Sequence, residues 1–507
     1  MKIELMPSKN KYNHLLDTSQ VNKDVKKRSV KAGTANLISQ GLSLGITLIR
    51  AAILARLLAP EDYGVFSMVM VIASFALIFK DLGLATATIR EKNISHAQVS
   101  NLFWINTLVG IVSMLIIILI SPLIVWFYNE PRLLTVAITL AISFLFAGMT
   151  VQHQALLKRQ MMFGKIAIIT VVSSLVSSLL GIATAWLFGN YWALVCMQVS
   201  LSLFLMIGFW LSAGWLPSLP SKKAETKNLI KVGVDVAGLN AFSTITQQID
   251  KIIIGRISNA SALGYYTKGF QIPQLISGQF RMAIFAVALP ALSSLQEERE
   301  RFATYYYKFL NMIVWITMPI SAFCFIFAEE IIYVYFGPKW SESVIFMQLF
   351  SIKAFIMPAV TTLDQIPLAL GFSKRYLYAG MVRSFALLIS LLFVAPFYGV
   401  LGIAFCVAFS DLMAFIPFVK LCLKKSPVDI KQYFYIVSIP FISSVGLGII
   451  FFYLKTFTET NSVTFKIIYM ILFMLLTITL FFINDSLNKK SNLGISKRIF
   501  KYLKLGI

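Results

Sequence analysis

Arg50-Ala-Ala-Ile-Leu-Ala-Arg56-Leu-Leu-Ala-Pro-Glu-Asp-Tyr-Gly64-Val-Phe66 decides the architecture, because a second copy stands about two hundred residues downstream. That copy is Asp250-Lys-Ile-Ile-Ile-Gly-Arg256-Ile-Ser-Asn-Ala-Ser-Ala-Leu-Gly264-Tyr-Tyr266. Arg56 and Arg256, Gly64 and Gly264, Phe66 and Tyr266 fall in register without a gap. Each copy ends one long apolar run and opens the next. A fainter echo sets Gly189-Asn-Tyr-Trp-Ala-Leu194 against Gly399-Val-Leu-Gly-Ile403.

A hydrocarbon core of ~30 Å is spanned by about 20 helical residues. Fourteen runs meet that length: 36–58, 63–83, 99–121, 133–152, 166–187, 191–213, 229–255, 263–290, 305–328, 342–369, 376–395, 399–420, 431–453 and 464–484. Two pairs are split only by tight turns, Gly189-Asn190 and Pro396-Phe397-Tyr398. The composition agrees: 58% of residues are hydrophobic and 13% charged, about half the charge of a soluble domain. The expectation is an all-α polytopic membrane protein, because no soluble core could bury 42 phenylalanines among so much other apolar surface.

Net charge is +23. In a soluble chain this would point to nucleic acid, but here the basic residues lie between apolar runs and imply no nucleic-acid partner. With the N-terminus inside, the loops and tails on the cytoplasmic side hold 32 Lys and Arg, including Lys158-Arg159, Lys222-Lys223, Lys374-Arg375 and Lys424-Lys425. The opposite side holds six: Arg56, Arg132, Arg256, Lys339, Lys455 and Lys466. That bias places both termini in the cytoplasm. There is no short apolar region followed by a small-residue cleavage site, so no cleaved leader is expected. Cys196, Cys324, Cys406 and Cys422 lie in apolar stretches and read as small core residues. No metal site and no nucleotide-binding loop is present in the sequence.

Six spans separate the two copies, so both enter the membrane in the same direction, as parallel repeats related by an axis along the membrane normal. The expected organisation is a cytoplasmic tail (1–35), an N-lobe of six helices (36–213), a cytoplasmic linker (214–228) and a C-lobe of six helices (229–420). Two further helices (421–484) and a basic cytoplasmic tail (485–507) follow. External loops are short, which disfavours a membrane glycan polymerase or ligase and leaves chemistry within the helices or at their ends. The three histidines, His14, His96 and His153, all lie toward the cytoplasm.

The residues Leu54-Ala-Arg-Leu-Leu-Ala-Pro-Glu-Asp-Tyr-Gly64, Lys80-Asp-Leu-Gly-Leu84, Gln248-Ile-Asp-Lys-Ile-Ile-Ile-Gly255 and Leu263-Gly-Tyr-Tyr-Thr-Lys268 resemble polysaccharide exporters. These are the Wzx-type lipid-linked oligosaccharide flippases of the multidrug/oligosaccharidyl-lipid/polysaccharide (MOP) superfamily, in the colanic and teichuronic acid translocase-like subgroup. The resemblance covers spans one to twelve and implies a bacterial inner-membrane transporter without enzymatic activity or a bound cofactor. Its cargo would be an undecaprenyl-diphosphate-linked repeat unit for surface polysaccharide, moved by alternating access and coupled to a proton or sodium gradient. Polysaccharide polymerase and chain-length machinery would be its partners. A lipid-II flippase or an ion-coupled multidrug exporter of the same fold stays open beside it.

A charge at the bilayer centre costs about 2.5–3.5 kcal/mol even on the lenient insertion scale, so intramembrane charges need water, partners or a function. Guanidinium forks bind phosphate bidentately. Arg50, Arg281 and Arg383 are therefore candidates for the diphosphate, with Lys251, Lys268 and Lys353 adding attraction. Asp250, Asp364 and Asp411 are candidates for gating or ion coupling. Arg50 and Asp250 hold matching positions in the two repeats, which suggests a bridge between them or a static buried pair. Lys80, Asp81 and Asp235 lie near helix ends, where snorkelling suffices. Pro273, Pro319, Pro358 and Pro367 interrupt helices and allow bending.

Overall fold

The computed structural model describes residues 12–16, 25–79, 83–91, 93–221, 246–457 and 463–488. Among these the regular structure is helical, without strands. Lys80, Asp81, Lys222, Lys223, Asp235 and the tail beyond Asn488 lie outside the described residues. The chain falls into two compact units, Met1–Gly264 and Tyr265–Ile507. The first contains α1 (Asn13–Leu16), α2 (Val25–Leu57), α3 (Pro60–Phe79), α4 (Leu84–Arg90), α5 (His96–Tyr128), α6 (Leu133–Arg159), α7 (Phe163–Phe188), α8 (Trp192–Ala213) and α9 (246–257). The boundary falls inside α10 (Ala260–Ser294). The second unit continues with α11 (Arg299–Ile326), α12 (Ala328–Tyr335), α13 (Ser343–Leu363), α14 (Gln365–Ala369), α15 (Ser373–Met413), α16 (Phe415–Leu423), α17 (Ile430–Phe457) and α18 (Val463–Asn488).

Among the described residues, nine helical segments are long and apolar enough to cross a bilayer. One of them, Lys374–Leu423, holds two of the expected runs, separated at Gly399 (φ 55°, ψ −141°). The seventh run, 229–255, is described only from residue 246. Large apolar side chains such as Leu119, Trp126, Trp186 and Phe397 are three-quarters or more exposed, an outward face that hydrocarbon solvates and water would not. The chain is a multi-pass membrane protein.

The repeat noticed in the sequence has a physical basis. At the first copy, Pro60 opens α3, where its missing N–H costs nothing, and the Ala59 N–H donates to Asp62 Oδ2 at 2.9 Å. At the second, the Ala262 N–H donates to Asn259 Oδ1 at 2.9 Å. The register is the same and the donor and acceptor positions are exchanged. A methyl group on Gly64 would overlap the backbone of Ala260, and one on Gly264 the backbone of Pro60. The two repeat-equivalent glycines thus admit each other's helix starts reciprocally, within residues 60–264 of the first unit. Small residues permit this close backbone approach where lipid offers no hydrophobic drive for helix association.

The polar end of the first unit is tied together more tightly than a solvated tail and linker would be. Leu15 and Leu16 of α1 are buried against Leu84, Phe103, Leu156 and Trp215. Arg159, 5% exposed, donates to the carbonyls of Leu16 (3.0 Å), Thr88 (2.9 Å) and Glu91, and Gln160 Nε2 donates to Leu15 (2.8 Å). The Lys158-Arg159 pair is therefore divided, with Arg159 closing the carbonyl end of α4. The start of the linker is pinned as well: Asn101 exchanges two 2.8 Å hydrogen bonds with the backbone of Ser221, and the Trp104 indole donates to Ser218. His153 is fully buried and stacks on Trp210, with a ring nitrogen 3.1 Å from each of the Met149 and Trp215 carbonyls.

Between α5 and α6, Arg132 binds both Glu61 and Glu130, and its hydrogen bond holds the Glu130 carboxyl below the usual carboxylate range. In the second unit, Lys455 (2.8 Å) and Lys466 (3.6 Å) meet the buried Glu330 of α12, which fixes the ends of α17 and α18.

Overpacking a tight contact costs about 1–3 kcal/mol. Gly64→Ala and Gly264→Ala should each lower the thermal midpoint of detergent-purified protein. Gly164→Ala, where an added methyl meets nothing within 4 Å, should leave it unchanged or slightly raised. Unchanged midpoints in the first two would contradict the reciprocal contact.

Candidate functional site

The second unit gathers three of the charged residues singled out in the sequence. Helix α13 ends at Leu363, and Asp364 stands at its junction with α14, its N–H turned to the Thr361 carbonyl (3.2 Å). Pro358 inside α13 supplies no backbone donor, so the Ala354 carbonyl one turn earlier lacks its helical partner. Arg383 lies on the first part of α15. Its Nη1 is 3.0 Å from Asp364 Oδ2, and its Nε is 3.6 Å from Asp411 Oδ1. The guanidinium carbon sits 5.2 Å from the centre of the Phe418 ring.

Arg383 and Asp411 are 28 residues apart on what is nominally one helix. A straight helix of that length would separate them by about 42 Å. Their contact requires the two parts of α15 to lie side by side, and the turn at Gly399, in a conformation open to glycine, provides the reversal. Pro396-Phe397-Tyr398 thus ends one span and Gly399 starts the next, as the sequence suggests.

One guanidinium between two carboxylates leaves a formal charge of −1. The side chains are largely buried: Arg383 is 24% exposed and each aspartate 13%. Asp364 caps both the C-terminus of α13 and the N-terminus of the short α14, with the Arg383 guanidinium against its carboxylate. Two buried carboxylates against one guanidinium form a charged cluster inside an otherwise apolar bundle, the kind of site at which an intramembrane charge is a functional candidate. Among the described residues no cluster of His, Cys, Asp and Glu fit for a metal ion is found.

The remaining candidates are dispersed. Arg50 Nη1 donates to Ser178 Oγ (3.5 Å) on the buried serine face of α7, against which α2 packs. Asp250 is 7% exposed. Lys251 Nζ donates to Gln248 Oε1 (2.9 Å). Lys268, 3% exposed, holds its ammonium 4.8 Å from the Phe336 ring centre and 5.5 Å from that of Trp340, an aromatic seat that favours a cation. Lys353 is half-buried on α13. Arg281 lies on α10 with its side chain outside the described set.

Sequence reasoning named Arg383 for phosphate and the aspartates for coupling without joining them. It missed Phe418, Tyr306, Thr362 and Tyr433, which surround them. Removing one partner from a buried ion pair costs about 3–5 kcal/mol, and partial exposure of the guanidinium puts this site near the lower end. Arg383→Leu should therefore lower the thermal midpoint clearly. The triple variant Arg383→Leu/Asp364→Asn/Asp411→Asn, which strands no charge, should recover most of the loss. A triple variant as unstable as the single one would contradict this electrostatic account.

The model of the family described as "Polysaccharide biosynthesis protein" matches residues 53–345. The lipopolysaccharide biosynthesis protein WzxC of Escherichia coli (strain K12) is 22% identical over 331 residues, 64% of this chain and 66% of that protein. The teichuronic acid biosynthesis protein TuaB of Bacillus subtilis (strain 168) is 24% identical over 426 residues, 82% of this chain and 86% of that protein. Among solved structures, the lipid II flippase MurJ in an inward closed conformation superposes with a TM-score of 0.70 over 91% of this chain and 99% of its own, at 14% identity. That likeness shows the fold, and the family match runs through more than half of the sequence: this chain belongs to the polysaccharide biosynthesis protein family.

Proposed function

We propose that this protein is a flippase that carries undecaprenyl-diphosphate-linked oligosaccharide repeat units across the bacterial inner membrane for surface polysaccharide synthesis. It is a membrane transporter of the MOP type and not an enzyme. The observation that carries the reading is the family match together with a MurJ-like fold over nine-tenths of the chain. The names of WzxC and TuaB support a role in glycan biosynthesis, and that of MurJ supports a lipid-linked cargo. The basic bias of alternate loops supports cytoplasmic termini. Polysaccharide polymerase and chain-length proteins are the proposed partners.

Within this reading Arg50, Lys251, Lys268, Arg281, Lys353 and Arg383 are the proposed contacts for the diphosphate. Arg383 and Lys268 stay in the set: the Nη1 of Arg383 bonds Asp364 while other N–H groups of the fork are left for phosphate, and Lys268 holds its ammonium against the Phe336 and Trp340 rings. Asp364 and Asp411, sharing one guanidinium, are the proposed site of coupling to a proton or sodium gradient. Binding of the coupling ion at either carboxylate would compete with its contact to Arg383. Asp250 remains a proposed gating residue.

Deleting the gene should leave lipid-linked repeat units on the cytoplasmic leaflet and remove the surface glycan. Unchanged surface glycan with raised drug sensitivity would instead identify a drug exporter. In vesicles, Asp364→Asn or Asp411→Asn should abolish the response of transport to an imposed proton or sodium gradient while folded protein is retained. If both variants keep the full gradient response, the cluster is not the coupling site.

A further inference from the structure

The break in α13 that presents Asp364 is held by a chain of hydroxyl groups from two other helices. The Ala359 carbonyl, one residue after Pro358, accepts from Thr362 Oγ1 at 2.7 Å and from the Tyr433 hydroxyl at 3.0 Å. Thr362 Oγ1 also lies 3.1 Å from the Tyr306 hydroxyl. A threonine hydroxyl has one proton, and that of Thr362 is directed to Ala359, so Tyr306 donates to Thr362. Tyr306, Thr362 and Tyr433 are 0–1% exposed and sit in or against one apolar cluster with Val360, Leu363 and Phe418. Tyr306 comes from α11 and Tyr433 from α17, the first of the two C-terminal helices beyond the repeats.

We infer that Tyr433 and Tyr306 are positioning residues for Asp364, fixing the last turn of α13 (359–363) so that the carboxylate that follows it meets Arg383. This inference rests on the coupling site proposed for Asp364 and Asp411, and it gives the C-terminal helix pair a part in transport. The titratable groups facing that site are Arg383, Asp411, Cys422 and Tyr376, with Tyr306 and Tyr433 on the far side of Cys422. Five residues separate the Tyr433 acceptor from Asp364, about one and a half helical turns. A shift of the Ala359 carbonyl is therefore carried directly to the carboxylate. A tyrosine that only satisfied its own hydroxyl in the core would add stability but would leave gradient coupling untouched.

The test measures gradient-driven transport of the lipid-linked saccharide in vesicles holding the full-length protein. Tyr433→Phe keeps the ring and removes one hydrogen bond, and Thr362→Val removes the shared hydroxyl at nearly constant shape. Both should lower the gradient-driven rate roughly three- to tenfold and weaken its steepness with the gradient, while passive exchange is unchanged. Thr362→Ser, which keeps the hydroxyl, should stay close to wild type and distinguishes the bond from side-chain volume should Tyr433→Phe fold poorly. If Asp364→Asn abolishes the gradient response and Thr362→Val leaves it intact, the positioning role is wrong and the coupling site stands. If Asp364→Asn itself leaves the response intact, the coupling site fails and this inference falls with it.

Discussion

A guanidinium within an apolar helical protein needs polar or charged partners close by, and Arg383 meets two carboxylates. Its contacts with Asp364 and Asp411 bring together three stretches of the second unit: the end of α13 and the two parts of α15. To make them, α15 has to reverse at Gly399 and α13 has to stop at Asp364. An ion pair of this kind adds little net stability over an apolar substitute. Its presence where apolar residues would serve is the reason to assign it a function. Two acids around one base is the arrangement from which the coupling role of this cluster is proposed.

The first unit shows the complementary use of small residues. Gly64 and Gly264 meet each other's helix starts, and the caps beside them exchange donor and acceptor between Asp62 and Asn259. The repeat is thus more than a trace of duplication, because each copy supplies the space that the other copy's backbone occupies. At the polar end of the same unit, Arg159 and Gln160 tie residues 12–16 to the helices, and the Asn101 and Trp104 side chains tie down the start of the linker. These segments are packed parts of the structure.

Lipid makes the helices legible in the sequence, since every span must be long, apolar and internally hydrogen-bonded. The repeat was legible because Arg, Gly and aromatic residues kept their spacing. Individual charges were legible as anomalies in apolar runs, but their partners were not. Asp364 and Asp411 lie 19 and 28 residues from Arg383; the turn at Gly371 brings the first alongside it and the hairpin at Gly399 the second. The aromatic seat of Lys268 was hidden because α12 and the short 3-10 turn Pro338–Trp340 read as loop. Tyr306 and Tyr433 carried no signal at all in a chain with 19 tyrosines. Arg159 looked like any basic residue beside a span.

The most direct measurement is translocation by the purified protein in liposomes, using a fluorescent polyprenyl-diphosphate-linked oligosaccharide whose outer-leaflet fraction is read with a membrane-impermeant quencher. The account expects the labelled lipid to change leaflets faster than in protein-free liposomes, and faster again when a proton or sodium gradient is imposed. A rate equal to that of protein-free liposomes under every gradient would contradict it.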